Sequence, residues 1–185
     1  MGRGVQVFVI CEDKQHQAFV RAFLRRCKFN IRLLAFVMNP PGAGDAKQFV
    51  QARFPIEVSS LRRYSGQGRI LIVMADADEL SSAKRLQMLD RALEEAGMEP
   101  VVDSEPIFCF APRWNIETWL AYLRGDVVEE NLSDYPRLRF ESDAVPLANR
   151  LVEMCDNRKL EPTPPSSLLA ACQTYELMRQ YLAKE

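Results

Sequence analysis

Apolar residues along this chain fall into short, nearly continuous runs, separated by longer stretches in which they recur every three or four positions. The runs are Val5 to Cys11, Ile31 to Met38, Arg69 to Asp78 and Pro106 to Ala111. Runs this short, rich in β-branched and aliphatic residues, read as strands buried on both faces. The first periodic stretch, Lys14 to Cys27, sets Phe19, Val20, Phe23 and Leu24 on one helical face. Ala46 to Phe54 reads as a short helix stopped by Pro55, and the Arg- and Ser-rich piece from Ser59 to Gly68 reads as a loop. Ser81 to Ala96 repeats Leu86, Leu89, Leu93 and Ala96 at helical spacing and meets Gly97 at its end. A helix over Asn115 to Leu123 carries Trp119, Leu120 and Tyr122. Gly125 to Asp143 is acidic and irregular, and two last helices, Pro146 to Cys155 and Ser166 to Ala183, flank the proline-rich Glu161-Pro-Thr-Pro-Pro165.

Strands alternating with helices predict an α/β fold with a central, mostly parallel sheet of about four strands and helices on both faces. The expected organisation is one domain over residues 1–185, with a core over 5–123 and a C-terminal helical extension over 124–185.

Composition narrows the class without naming a function. The chain has 185 residues, 48% hydrophobic and 26% charged, enough to bury a core, and no apolar run spans a bilayer. Met1-Gly-Arg-Gly-Val-Gln6 enters the first strand without the pattern of a secretory signal, so the expected location is cytoplasmic. Five widely spaced cysteines and a single histidine include no C-x-x-C pair, so neither a disulfide framework nor a zinc site is expected. A histidine-based catalytic triad would have to rest on His16 alone. With a net charge of −1, the whole-chain field does not announce a nucleic-acid binder.

The chemistry concentrates where strands end. Asp76 and Asp78 close the third strand with one residue between them, and Glu12-Asp13 closes the first. In open parallel sheets, ligands gather beyond the carboxyl ends of the strands, and carboxylates there suit Mg²⁺ or Mn²⁺ before any softer metal. If the first and third strands are neighbours, Glu12 and the aspartate pair share one rim. Glu117, at the start of the helix after the fourth strand, could reach the same rim. Each acid also has a purely structural reading: Glu12, Asp13 and Glu117 suit the positive ends of helices, and Asp78 could cap the helix that follows.

A strand ending in Glu, a helix, and a later apolar strand ending in Asp-x-Asp resembles the Toprim domain of topoisomerases, primases, OLD-family nucleases and small proteins of bacterial defence islands. Ile116-Glu-Thr-Trp-Leu120 is similar to the Glu-x-Trp helix start of RloB-like Toprim proteins. The chain departs from the family at Asp13 and Glu79, where Toprim proteins commonly carry Gly. The resemblance implies Mg²⁺-dependent (or Mn²⁺-dependent) phosphodiester hydrolysis, an endonuclease acting on DNA, RNA or tRNA. In this reading Glu12 is the general acid or base or a ligand for a second metal, Asp76 and Asp78 hold the metal, and Glu117 is a further metal ligand or a group that orients one. It further implies an anti-phage effector with a possible ATPase partner. The alternative is a non-catalytic Toprim-like subunit that binds such a partner.

Basic and aromatic residues add candidates. Arg62, Arg63, Arg69 and Arg113 are placed in or beside rim loops and could track a nucleic-acid backbone. Asn39-Pro-Pro-Gly-Ala-Gly-Asp-Ala-Lys47 is glycine-rich between a strand and a helix, but lacks Walker A spacing and reads as a turn with Asp45 as N-cap. Trp119 is expected in the core, and Trp114 is left open between base stacking and packing. His16 reads either as a surface residue or as a proton shuttle near Glu12.

Overall fold

Each apolar run folds into a strand, and the four strands form one all-parallel sheet. They are β1 (Gln6–Cys11), β2 (Leu34–Met38), β3 (Arg69–Met74) and β4 (Ile107–Phe110), in the order β2-β1-β3-β4. The computed structural model describes residues 4–40, 44–64, 68–132, 134–160 and 163–183. Gly42 and Ala43 of the glycine-rich turn, and Glu161 and Pro162 of the proline-rich link, lie outside the described residues.

Alternate residues of the strands feed two separate cores. Val7, Val9, Ile70 and Ile72 face a cluster completed by α1 (Lys14–Arg26), α4 (Ile116–Arg124), α5 (Ala144–Asn157) and α6 (Ser166–Leu182). Ile10, Leu71 and Val73 face a smaller cluster built with α2 (Ala46–Arg63) and α3 (Ser82–Glu95). Burial on both faces is why β1, β3 and β4 read as continuous apolar runs rather than alternating ones, whereas the edge strand β2 is only partly buried along its length. Among the described residues no helix is long and apolar enough to cross a membrane.

The first and third strands are neighbours, with Cys11 level with Met74. β1 passes its chain to α1 on one face and β3 passes its chain to α3 on the other. The gap between their carboxyl ends is therefore the point where the winding of the sheet reverses, the place where such folds open a crevice.

Three expectations are corrected. Ile31–Leu33 is a 3-10 turn rather than strand, held by the Asn30 side chain accepting the Arg32 N–H at 3.1 Å. Pro55 does not stop its helix, which runs on to Arg63 and absorbs the first part of the expected loop. Val50, Phe54, Val58 and Leu61 form one buried stripe along α2, and burying such side chains at roughly 1.5–3 kcal/mol each outweighs a proline penalty of about 3 kcal/mol. Cys155 and Cys172 form a disulfide between α5 and α6, their Cα atoms 5.2 Å apart. They stand 17 positions apart in sequence, and helix packing, not a spacing motif, brings them together.

Candidate functional site

Glu12 and Asp76 meet at the crevice between β1 and β3. The Asp76 N–H donates to Glu12 Oε1 at 2.9 Å, so the end of one strand is tied to the acid that closes the other. Glu12 is only 9% exposed. Burial, followed by the Asp76 charge, pushes its carboxyl up to about 7, against the opposing pull of His16 and Arg85. Arg85, 3% exposed on α3, reaches Glu12 Oε1 and the Lys47 carbonyl, each at 3.4 Å, while its Nε has no hydrogen-bond partner among the described residues.

Asp13 is the N-cap of α1. Its Oδ1 accepts the Gln15 and His16 N–H groups at 2.8 and 3.1 Å, which is why the helix begins at Lys14. The same carboxylate meets the His16 ring, whose Nδ1 lies 3.0 Å from Asp13 Oδ1 and whose Nε2 lies 2.9 Å from Asp76 Oδ1. Two carboxylates facing two ring nitrogens require a proton on each nitrogen for both contacts to be hydrogen bonds. Burial would lower the ring's pKa, but Asp76 and Asp13 outweigh it and hold the ring well above its usual 6.5. Burial likewise works to raise Asp13, and is overcome by His16 and Arg137, which hold it below the ordinary carboxylate range. The two carboxylates thus favour a protonated ring, and His16 is buried, 1% exposed, not a surface residue.

Past β3 the chain stays extended against the segment after β4. Ala75 N–H donates to Phe110 O at 3.1 Å and Ala77 N–H to Pro112 O at 2.8 Å. The contact ends in a reciprocal backbone pair between Asp78 and Trp114, at 3.0 and 3.1 Å. Both residues hold positive φ, 52° and 59°, which is uncommon for Asp and costly for a bulky aromatic, so the rim stores local strain where the acids sit. Ser81, not Asp78, caps α3, its hydroxyl accepting the Lys84 N–H at 3.3 Å. The Asp78 carboxylate instead meets Lys47 Nζ at 2.6 Å. Lys47 follows Asp45, the N-cap of α2 expected from the glycine-rich segment. Its ammonium is held above its usual pKa first by its hydrogen bond to Asp78.

Glu117, 6% exposed in the first turn of α4, accepts from Arg137 Nε at 2.8 Å. Arg137 also pairs with Asp13, so Glu117 joins the network through a guanidinium contributed by the irregular acidic segment.

The other candidates separate by position. Arg62, Arg63 and Arg69 lie at the opposite end of the sheet, because α2 runs back against the strands and Arg69 opens β3. Arg62 is engaged by Glu105 and by the carbonyls of Glu99 and Pro100, and Arg69 lies over the Phe8 and Tyr64 rings. Arg113 stays beside the site, next to Trp114, with a buried Nε that has no partner among the described residues. Trp119 is fully buried and donates to Ser167 Oγ at 2.8 Å, as core packing predicts. Cys11, pushed up to about 12 by burial, remains a thiol and is not a nucleophile at neutral pH.

His16, Lys47, Arg85 and Arg137 are the site residues that sequence reasoning undervalued or missed. His16 and Arg85 were visible in principle: His16 precedes Phe19 and Val20 by three and four positions, and Arg85 precedes Leu89 by four, so both sit on apolar faces. A charged group on a buried stripe is itself a signal. Arg137 has none, since it comes from an aperiodic segment.

Among the described residues no group of three or more His, Cys, Asp or Glu side chains is arranged to hold a metal ion. Mg²⁺ does not require one, because it is commonly bound by one or two carboxylates with water and substrate phosphate completing its octahedron. In donor chemistry Asp76 and Asp78 fit that mode, and the cations a metal would meet there are His16 on Asp76 and Lys47 on Asp78. Compared with protein-family models, curated proteins and solved structures, the chain has no match.

Proposed function

We propose that this chain is a Mg²⁺- or Mn²⁺-dependent phosphodiesterase, an endonuclease of the Toprim type. The observation that carries the reading is Glu12 bonded to the Asp76 amide at the winding reversal of the sheet, with Asp78 two residues on. A divalent ion on Asp76 and Asp78 would neutralise phosphoryl oxygens and favour ionisation of a bound water. Glu12, buried beside it, would give or take a proton at the scissile phosphate. His16 fixes the Asp76 carboxylate through Nε2, and Arg137 fixes Glu117 and Asp13. Arg113 is the candidate closest to the rim for contact with a nucleic-acid backbone. The setting of an anti-phage effector with an ATPase partner rests on the Toprim-like motifs alone.

The test is cleavage of supercoiled plasmid, single-stranded RNA and tRNA by the purified chain with Mg²⁺ or Mn²⁺. Metal-stimulated cleavage that disappears in Asp76→Ala and Glu12→Gln is the expected result. No cleavage of any substrate, or cleavage unchanged in both variants, would sink the nuclease reading.

A second reading is favoured by a specific observation: each rim carboxylate already faces a cation, Asp78 with Lys47, Asp76 with His16 and Glu12 with Arg85. A self-neutralised cluster suits a non-catalytic subunit that binds a partner protein. Thermal stabilisation by millimolar Mg²⁺, lost in Asp76→Ala, separates the two, since only the metal-binding form gains by mass action.

A further inference from the structure

A cleft of about 590 Å³ is bordered by α3, by α6 and by β4. The sheet separates α3 from α6, so a cavity that touches both lies beyond the sheet's edge, and β4 is that edge. The floor is the outer side of β4 and the walls are the two helices.

Among the described residues the edge is left unpaired. Leu71 N–H donates to Pro106 O and Ala75 N–H to Phe110 O, so the even-numbered carbonyls of this segment turn toward β3. By the alternation of a strand, Cys109 turns its N–H and C=O outward, together with the Ile107 C=O. The Ile107 N–H is already used by Glu105 O at 2.8 Å. The four residues Ile-Phe-Cys-Phe carry no charge or proline of their own, so the guards of this edge are its shortness and the Glu105-Pro106 that precede it. Val102 and Leu177, each more than half exposed, stand at the mouth.

Charge decides the occupant. The charged side chains that line the cleft are Asp90, Asp103 and Glu105, and Arg62 already engages Glu105. A second copy would bring the same acids against Asp90 and Asp103, and like charges facing each other disfavour pairing. We propose that the free edge of β4 takes an extended segment of a partner protein, alternating apolar and basic residues, as a fifth strand. Its backbone pairs with Ile107 and Cys109, its apolar residues cover Val102 and Leu177, and its basic residues meet Asp90 and Asp103. The site stands apart from the acidic rim and does not depend on the nuclease reading.

The experiment titrates the full chain into a fluorescein-labelled peptide of about ten residues alternating Val and Lys, read by anisotropy. Two control peptides are a Val and Glu alternation, and the Val-Lys peptide N-methylated at every second residue to remove its edge N–H groups. Micromolar binding of the Val-Lys peptide is expected, weaker by about tenfold or more for both controls, a loss of about 1.4 kcal/mol. The exposed double substitution Val102→Arg, Leu177→Arg should weaken binding similarly with an unchanged melting temperature. Asp90→Lys with Asp103→Lys should invert the preference between the Lys and Glu peptides. Equal binding of the N-methylated peptide, indifference to Val102→Arg, Leu177→Arg, or no binding at millimolar peptide would overturn the proposal. A dimer in sedimentation that Leu177→Arg dissociates would assign the cleft to a second copy and overturn the partner assignment.

Discussion

Nε2 of His16 lies 2.9 Å from Oδ1 of Asp76, across 60 residues of sequence, and joins the first turn of α1 to the end of β3. The ring completes a continuous path from Glu117 through Arg137, Asp13 and His16 to Asp76 and Glu12. Glu12, Asp13, Asp76 and Glu117 therefore belong to one network, while Asp78 pairs separately with Lys47.

Because the folded state holds His16 well above its usual 6.5, its protonation stabilises the fold fully below about pH 6.5. That contribution shrinks as pH rises from there and is gone above the folded-state pKa. His16→Gln should cost about 2–3 kcal/mol at pH 6, since it strips the partner from two carboxylates that are only partly exposed. Denaturant titrations of metal-free protein across pH should show the gap between wild type and variant closing toward alkaline pH. A constant gap would mean that the ring is neutral.

Glu12 contributes a second alkaline loss in a lower window. Its carboxyl rises from 4.5 to about 7 on folding, so the stability present below pH 4.5 falls away as pH climbs through 7. Glu12→Gln keeps an acceptor for the Asp76 amide and removes the buried charge. The metal-free variant should be more stable than wild type near pH 8, by about 1–2 kcal/mol. Lower stability of the variant at that pH would contradict the burial argument.

Lys47 competes with any cation at Asp78, at 2.6 Å and partly exposed. Lys47→Ala should tighten Mg²⁺ binding by up to about fivefold, the range of an exposed ion pair worth up to 1 kcal/mol. Calorimetric titration of Mg²⁺ into both proteins measures it. Weaker binding in the variant would place Lys47 in support of the metal rather than in competition with it.

Glu130 anchors the start of α6 by accepting from the backbone and hydroxyl groups of Ser166 and Ser167, at distances of 2.5 to 2.9 Å. Burial would raise its carboxyl, yet these bonds hold it below its usual 4.5. Its contribution is present above about pH 4.5 and is lost as pH falls through the folded value. Glu130→Gln should cost about 1–2 kcal/mol at neutral pH, with the difference fading in acid. Unchanged melting temperatures at pH 7 would show that α6 needs no such anchor.

Pro55 breaks the hydrogen-bond ladder of α2 without ending the helix. Pro55→Ala should therefore stabilise the protein, by about 1–2 kcal/mol after allowance for the more flexible unfolded chain. Urea unfolding at neutral pH reads the sign directly, and destabilisation would indicate that the proline ring itself packs usefully.

The sequence by itself determined the alternation of strands and helices, the parallel sheet and the acids at its strand ends. These follow from local rules: a strand buried on both faces must be apolar throughout, and polar residues can return only where the strand leaves the core. It also carried signals that local reading undervalued, in His16 and Arg85 on otherwise apolar helical faces. Tertiary structure alone decided the rest. The neighbouring of β1 and β3 is a choice of topology, and it turned Glu12 and Asp76 from two strand ends into a bonded pair. Arg137, Lys47 and the Cys155–Cys172 bridge reach their partners across segments with no shared period. The same packing carried Arg62, Arg63 and Arg69 to the far end of the sheet, because a helix that returns antiparallel to its strands delivers its last turn opposite their carboxyl ends. Local periodicity determines which face of an element is buried; only the packed chain determines what that face meets.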